Sequence, residues 1–136
     1  EKNPVYYIQY AHARICSILR KSNIQHPLRR QSYGVSVTIS NIQRLKLLNH
    51  LSELNLIREI VKFPEIIEDT AKDYQLQRLP EYGKNLATAF HQFYRDCRVL
   101  SENKNLAEAR LCLLLSTKIV LSILFSLMGI SAPEKM

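Results

Sequence analysis

The sequence predicts an all-α fold, a helical bundle, on three observations. Apolar residues recur at the 3.6-residue helical period in several long stretches. Helix boundaries carry the expected chemistry, with Asn3-Pro4 near one end of the chain and Gly129 near the other. Only 3 Gly and 5 Pro interrupt 136 residues that are 46% hydrophobic and 23% charged, a composition that supports a packed core and argues against disorder. At this length one domain spanning residues 1–136 is expected.

Asn3 is read as the N-cap of the first helix, with Pro4 at N1, where the missing N–H is not needed. The helix should run to about Lys21. Val5, Ile8, Ala11, Ile15 and Leu19 form its core stripe, and Tyr6, Tyr10, Arg14 and Ser17 share a second, outward face. From Ser22 to Ser40 the period fails, at Pro27, Arg29-Arg30 and Gly34, while Val35, Val37 and Ile39 alternate. Residues 22–40 are therefore read as a variable loop, extended at most over Val35–Thr38, with Arg29-Arg30 solvated.

Ser40 or Asn41 then caps a helix on Ile42, Leu45, Leu48 and Leu51, followed by a short helix from about Asn55 to Phe63. Pro64 disfavours αR geometry at Phe63, which predicts a break between Lys62 and Pro64 and a short helix over residues 65–73. A long helix from near Gln77 to Cys97 tolerates Pro80 in its first turn. It turns Leu79, Leu86, Ala89 and Phe93 inward and places Phe90 and Tyr94 on a flank beside His91, Arg95 and Arg98. The last helix runs from Leu106 to about Leu127 and stops at Gly129, ahead of the tail Ser131–Met136.

Nineteen Lys and Arg against 12 Asp and Glu give a net charge of +7, which favours polyanionic partners through counterion release. Three cysteines, Cys16, Cys97 and Cys112, are too few and odd in number for a disulfide framework; they read as small core residues in a reducing, cytoplasmic setting. The chain opens at Glu1 without an initiator Met or a basic-then-apolar leader, so a processed chain or a fragment is expected. Leu111 to Ile130 is apolar enough to suggest a membrane span. Lys118, Ser122 and Ser126, four apart, instead draw one polar stripe along a helix buried on its other sides.

The residues do not converge on a reaction centre. His12 and Cys16 are the one pair at helical metal-ligand spacing, without a second pair, so no metal site is expected. Gly34, Gly83 and Gly129 are isolated, which leaves no phosphate-cradling loop for ATP. Cys97 and His91 are six apart and face different ways, so they form no nucleophile–base pair. The distinctive set is aromatic and basic: Tyr6, Tyr10 and Arg14 on one helix, Phe90, Tyr94, Arg95 and Arg98 on another. Unpaired RNA bases stack on such planes. Packing of these rings into the bundle is the plain alternative. As functions, a helical protein-interaction module and a basic membrane-surface protein compete with RNA binding.

The stretch Asn3-Pro4-Val5-Tyr6-Tyr7-Ile8-Gln9-Tyr10-Ala11-His12-Ala13-Arg14 closely resembles the helix that opens the C-terminal, DALR-type anticodon-binding domain of arginyl-tRNA synthetases. Phe63-Pro64-Glu65, Leu86-Ala87 with Phe90, Phe93-Tyr94-Arg95-Asp96-Cys97, Val99-Leu100 and the terminal Leu127 to Met136 resemble the same domain in the same order. Residues 22–40 are not characteristic, and Lys135 stands where the family usually has Arg.

The resemblance implies a bundle of the class Ia anticodon-binding type that docks on the anticodon stem-loop of tRNA-Arg. By position it assigns tRNA contacts to Tyr10, Arg14, Phe90, Tyr94 and Met136, with Phe at 90 where the family often has Leu. Met136 joins the other four only if Gly129 and Pro133 turn the tail back across the bundle. The parent enzyme joins L-arginine to tRNA with ATP. The His-Ile-Gly-His and Lys-Met-Ser-Lys-Ser signatures of its catalytic domain are absent from these 136 residues. The chain is thus expected to bind tRNA without charging it, to hold no cofactor of its own, to partner the catalytic domain of the same polypeptide, and to be a monomer without membrane attachment.

Overall fold

The computed structural model describes residues 3–22 and 43–136. Arg29-Arg30, the extended stretch Val35–Thr38 and the cap at Ser40 or Asn41 lie outside the described residues. Five helices follow in order among the described residues: α1 (Pro4–Lys21), α2 (Leu51–Val61), α3 (Phe63–Asp73), α4 (Arg78–Asp96) and α5 (Lys104–Met128). The all-α expectation holds.

The first cap forms as its chemistry requires. Asn3 Oδ1 accepts from the Val5 N–H at 3.0 Å, with Pro4 opening the helix. Ile8, Ala11 and Ile15 are buried, while Val5 and Leu19 are half-buried at the edge.

The second region differs from the expectation. Rather than a helix through Leu51 and another from Asn55, residues 43–45 are helical and the helix ends there, closed by Leu47 N to Arg44 O (3.0 Å) and Leu48 N to Leu45 O (3.1 Å). These tight bonds end the 3.6-residue period, so Leu45 and Leu51 are exposed and, among the described residues of the expected face, only Leu48 is buried; Ile42 lies outside them. A reciprocal cap starts α2 at Leu51: the Ser52 N–H donates to His50 Nδ1 (3.2 Å) and the His50 N–H to Glu53 Oε2 (2.9 Å).

The break before Pro64 is a single residue, Lys62. Its N–H still reaches Arg58 O, and its carbonyl accepts from Ile66. Pro64 falls in the first turn of α3, where its missing N–H leaves no bond unmade. Tyr74 ends α3 in a left-handed conformation at φ 58°. Asp73 steadies that turn, accepting from the Gln75 N–H and pairing with Arg78 at 2.7 Å.

α4 is the centre of the bundle. α1 lies parallel to it, α5 and α2 antiparallel, and α3 against its N-terminal half. The core is Ile8 and Ile15 of α1, Leu56 of α2, Leu86, Phe90 and Phe93 of α4, and Leu114, Leu121, Leu124 and Phe125 of α5, all without solvent exposure. Fully burying each such side chain contributes about 1.5–3 kcal/mol.

Gly83 sets the spacing. A Cβ there would stand 2.8 Å from both Ile8 Cδ1 and Leu124 Cδ2, so its absence lets α1 and α5 close on α4. Tyr82 beside it stacks on Phe63 and donates to Glu59 O at 2.7 Å, which pins α4 to the α2–α3 junction. Burial, and then Glu59, push its phenol pKa up.

α5 is long and apolar enough by length and composition to cross a membrane, yet its inner residues are the bundle core. Of its polar stripe, Lys118 and Ser122 are half-buried against α1 and the tail, and Ser126 is exposed. Cys16 and Cys97 are buried as expected. Cys112 is exposed, because it lies on the outer face of α5 with Ser116, Ile119 and Ile123.

Candidate nucleic-acid interface

The parallel packing of α1 and α4 brings two sequence-distant faces together. Tyr10, Arg14 and Lys21 recur at four and seven residues and so share one side of α1, while His91, Tyr94, Arg95 and Arg98 follow the matching side of α4 and its exit. Arg14 joins the two. Its guanidinium lies over the Tyr94 ring, 5.1 Å from the centroid, and donates to Tyr94 Oη at 3.3 Å. A partly exposed cation–π pair of this kind contributes about 0.5–1 kcal/mol, a modest bias toward this mutual orientation of the two planes.

Tyr10 is 43% exposed and Tyr94 38%. Between them stands His91, half-buried, 5.2 Å from Tyr7, 5.8 Å from Tyr10 and 5.1 Å from Phe90 by ring centroids. Its Nε2 is buried and meets no hydrogen-bond partner among the described residues.

Phe90 corrects the expectation. At 0% exposure it is core, not surface. It lies on the α4 face shared with Leu86 and Phe93, and it stacks beneath Tyr94 at 6.1 Å, supporting that ring from inside. Tyr10, Arg14 and Tyr94 form one continuous surface without it. Met136 is exposed, and the tail before it runs along a different side of α1, through Gln9, His12 and Arg20. The tail does turn back across the bundle as the Gly129 stop predicts, with Gly129 left-handed at φ 67°.

Beyond Tyr94 the α1–α4 seam opens into a cleft of about 570 Å³. Among the described residues Ile18 and Lys21 line it from α1, and Tyr94 to Leu100 line it from α4 and its exit. Lys21, Arg95 and Arg98 make its rim cationic. Asp96, the one anion, accepts from the Ser52 hydroxyl and from Arg95 Nε at 3.0 Å, and these bonds hold its carboxyl below the usual range. Sequence reasoning set His91 on the Tyr94 flank without a role and passed over Lys21, although the seven-residue step from Arg14 places Lys21 on the same face.

His12 and His91 both titrate below the ordinary imidazole value of 6.5. Burial is the main cause in each; Lys118 adds to it at His12 against the bond to Pro133, and Arg14 adds to it at His91. The folded state resists protons that the unfolded chain takes up near 6.5. Stability is therefore complete above that pH and declines as pH falls toward the lower folded values. The melting temperature should drop on going from about pH 7.5 to about 5.5; calorimetry showing it constant or rising refutes the assignment.

The DALR anticodon binding domain family matches residues 8–136. Curated relatives include the arginine–tRNA ligases of Symbiobacterium thermophilum, 44% identical over 134 residues, and Dehalococcoides mccartyi, 44% over 135; these alignments cover 98% and 99% of this chain but only 23% and 22% of the relatives. Among solved structures, the arginyl-tRNA synthetase of Plasmodium falciparum superposes with a TM-score of 0.79 at 34% identity, over 99% of this chain and 22% of that one. The Thermus thermophilus enzyme superposes at 0.66 and 28%, over 96% and 21%. The matched span begins inside α1 and takes in the Arg14–Tyr94 face, the cleft and the tail. The chain belongs to the DALR anticodon binding domain family.

Proposed function

We propose that this chain recognises the anticodon stem-loop of tRNA-Arg as the RNA-reading part of an arginine–tRNA ligase. The observation that carries the reading is the Arg14–Tyr94 layer opening into a cationic cleft. A splayed base stacks on the outer plane of the Arg14 guanidinium, which Tyr94 backs, with Tyr10 beside it. Lys21, Arg95 and Arg98 neutralise the adjoining phosphates. Phe90 serves from beneath Tyr94, and Met136 contributes from the tail.

The chain spans under a quarter of the relatives it resembles, so joining L-arginine to tRNA with ATP belongs, in this reading, to the catalytic domain. That domain is the second partner, and the present segment takes no cofactor of its own. The setting is the cytoplasm and the form a monomer.

Gel-shift titration with tRNA-Arg and an anticodon-swapped tRNA tests the reading. The swap should cost at least about tenfold in affinity, since base contacts discriminate by roughly 1–3 kcal/mol each. With three cations on phosphate, log affinity should fall against log salt with a slope of about −2, roughly tenfold between about 50 and 200 mM. A flat salt dependence would instead favour a protein-interaction module.

A further inference from the structure

The Arg14–Tyr94 layer has a neighbour one helical turn back along the seam. Tyr10 precedes Arg14 by four residues and His91 precedes Tyr94 by three, so on parallel helices this second pair lies about 5 Å along the axis from the first. Tyr10 and His91 stack there, 5.8 Å apart at 28°. Tyr7 and Phe90 flank the same imidazole at 5.2 and 5.1 Å.

Hydrogen bonding sets this ring apart. Among the described histidines, His12 commits both ring nitrogens and His50 caps α2 with its Nδ1, whereas His91 bonds to nothing. Tyr7 Oη, on the adjoining ring, meets Thr88 Oγ1 at 3.4 Å instead. A buried polar atom left unbonded calls for an explanation.

The place of the ring proton follows. Burial, and then the Arg14 charge, hold the His91 pKa below 6.5, so near neutral pH one nitrogen carries a proton and the other a lone pair. Buried N–H groups without an acceptor are rarer in folded proteins than buried lone pairs without a donor, which leaves Nε2 bare and puts the proton on Nδ1. Of the two nitrogens only Nε2 is closed off from solvent. An N–H donor therefore opens on the face between Tyr10 and Tyr94.

The cations suited to phosphate, Lys21, Arg95 and Arg98, lie further along the seam at the cleft. A neutral donor among aromatic rings suits a neutral acceptor carried on a stacking plane, which is the edge of an unpaired base.

We propose that His91 is a specificity-determining residue of this face: its Nδ1–H donates to an acceptor on the edge of one unpaired base, a carbonyl oxygen or a bare ring nitrogen. The proposal rests on the reading that this face binds the anticodon loop, and it adds a contact that tells one nucleotide from the rest.

The test measures, by fluorescence anisotropy, binding of the 136-residue chain to a synthetic tRNA-Arg anticodon stem-loop and to a set of loops in which each nucleotide in turn is abasic. His91→Phe keeps a ring and loses the N–H. It should weaken binding of the intact loop about fivefold, with the penalty gone for one abasic loop and kept for the others. His91→Asn keeps an N–H near the Nδ1 position and should hold the same ratio between the intact loop and that abasic loop as the unaltered chain. A Phe variant that binds normally, a penalty that persists in every abasic loop, or an Asn ratio that matches that of Phe overturns the proposal.

Nitrogen-15 spectra of the histidine rings need no variant and serve if neither substitution folds. The His91 proton is expected on Nδ1, with its exchange slowed by the intact loop; a proton on Nε2, or an Nδ1–H that RNA leaves unchanged, overturns the proposal. Tyr94→Ala is measured beside these. Weakened binding there without a base-dependent penalty in His91→Phe removes the histidine proposal alone, whereas normal binding in Tyr94→Ala removes the RNA reading beneath it as well.

Discussion

Arg110→Met should cost about 3–5 kcal/mol of stability, the largest loss expected from any single substitution described, because it leaves a carboxylate buried without its cation. Glu53 is 0% exposed. Its Oε1 accepts from Arg110 Nε at 2.6 Å, and its Oε2 accepts from the His50 N–H at the start of α2. Arg110 also donates to Arg98 O at 2.7 Å, which fastens the α4–α5 connection beside the cleft. The melting temperature should fall by roughly 10–20 °C. Glu53→Gln combined with Arg110→Met keeps an acceptor for the cap, removes the stranded charge and should restore much of the loss. A single substitution costing under about 1 kcal/mol would show that water reaches Glu53 and that the pair is not desolvated.

Tyr94→Ala should weaken tRNA binding about ten- to hundredfold, corresponding to a stack of roughly 1–3 kcal/mol, with the helical content kept. The ring is partly exposed, and the side chain of Phe90 below it remains in place. What is lost is the platform that holds the Arg14 guanidinium flat. Tyr94→Phe keeps the ring and gives up only the 3.3 Å hydrogen bond to Arg14, so its effect should be small. Filter binding or fluorescence anisotropy distinguishes these outcomes. Equal affinities for the Ala variant and the unaltered chain would mean that the base is read elsewhere on the molecule.

The long helices were legible because they carry strong local signals. Asn3-Pro4 started α1 where expected, Gly129 stopped α5, and Pro64 placed the α2–α3 junction within one residue. The start of α2 was not legible, because a histidine does the capping that Ser, Thr, Asp or Asn usually do, and His50-Leu51-Ser52-Glu53 does not read as a cap until the ring nitrogen is seen accepting. Leu45 and Leu51 kept a helical spacing that the turn at 46–47 makes meaningless.

For the face, four-residue spacing correctly paired Tyr10 with Arg14, but it wrongly carried Phe90 outward with Tyr94. Spacing along one helix gives relative direction only, and how far a neighbouring helix covers each side is a tertiary fact. The crossing of α1 and α4 decides it, covering Phe90 and leaving Tyr94 partly in solvent. Similarly, His12 read as half of a weak metal pair, whereas its ring is committed to a segment 121 residues away, beyond the reach of any local pattern.

The missing Cβ of Gly83 also acts as a gauge for the Arg14–Tyr94 face. Ile8 crosses α4 there, and further along the same two parallel helices Arg14 meets Tyr94. Because the helices are stiff, the gap at the first crossing calibrates the gap at the second. A bulkier residue at 83 would press on the ends of the Ile8 and Leu124 side chains, and where these cannot turn aside in the packed core it would push α1 outward and draw the guanidinium off the ring, with no solvent-facing residue substituted. The recognition proposed for this face would then be lost through the interior alone, and a survey confined to exposed residues would miss the position that sets the tolerance.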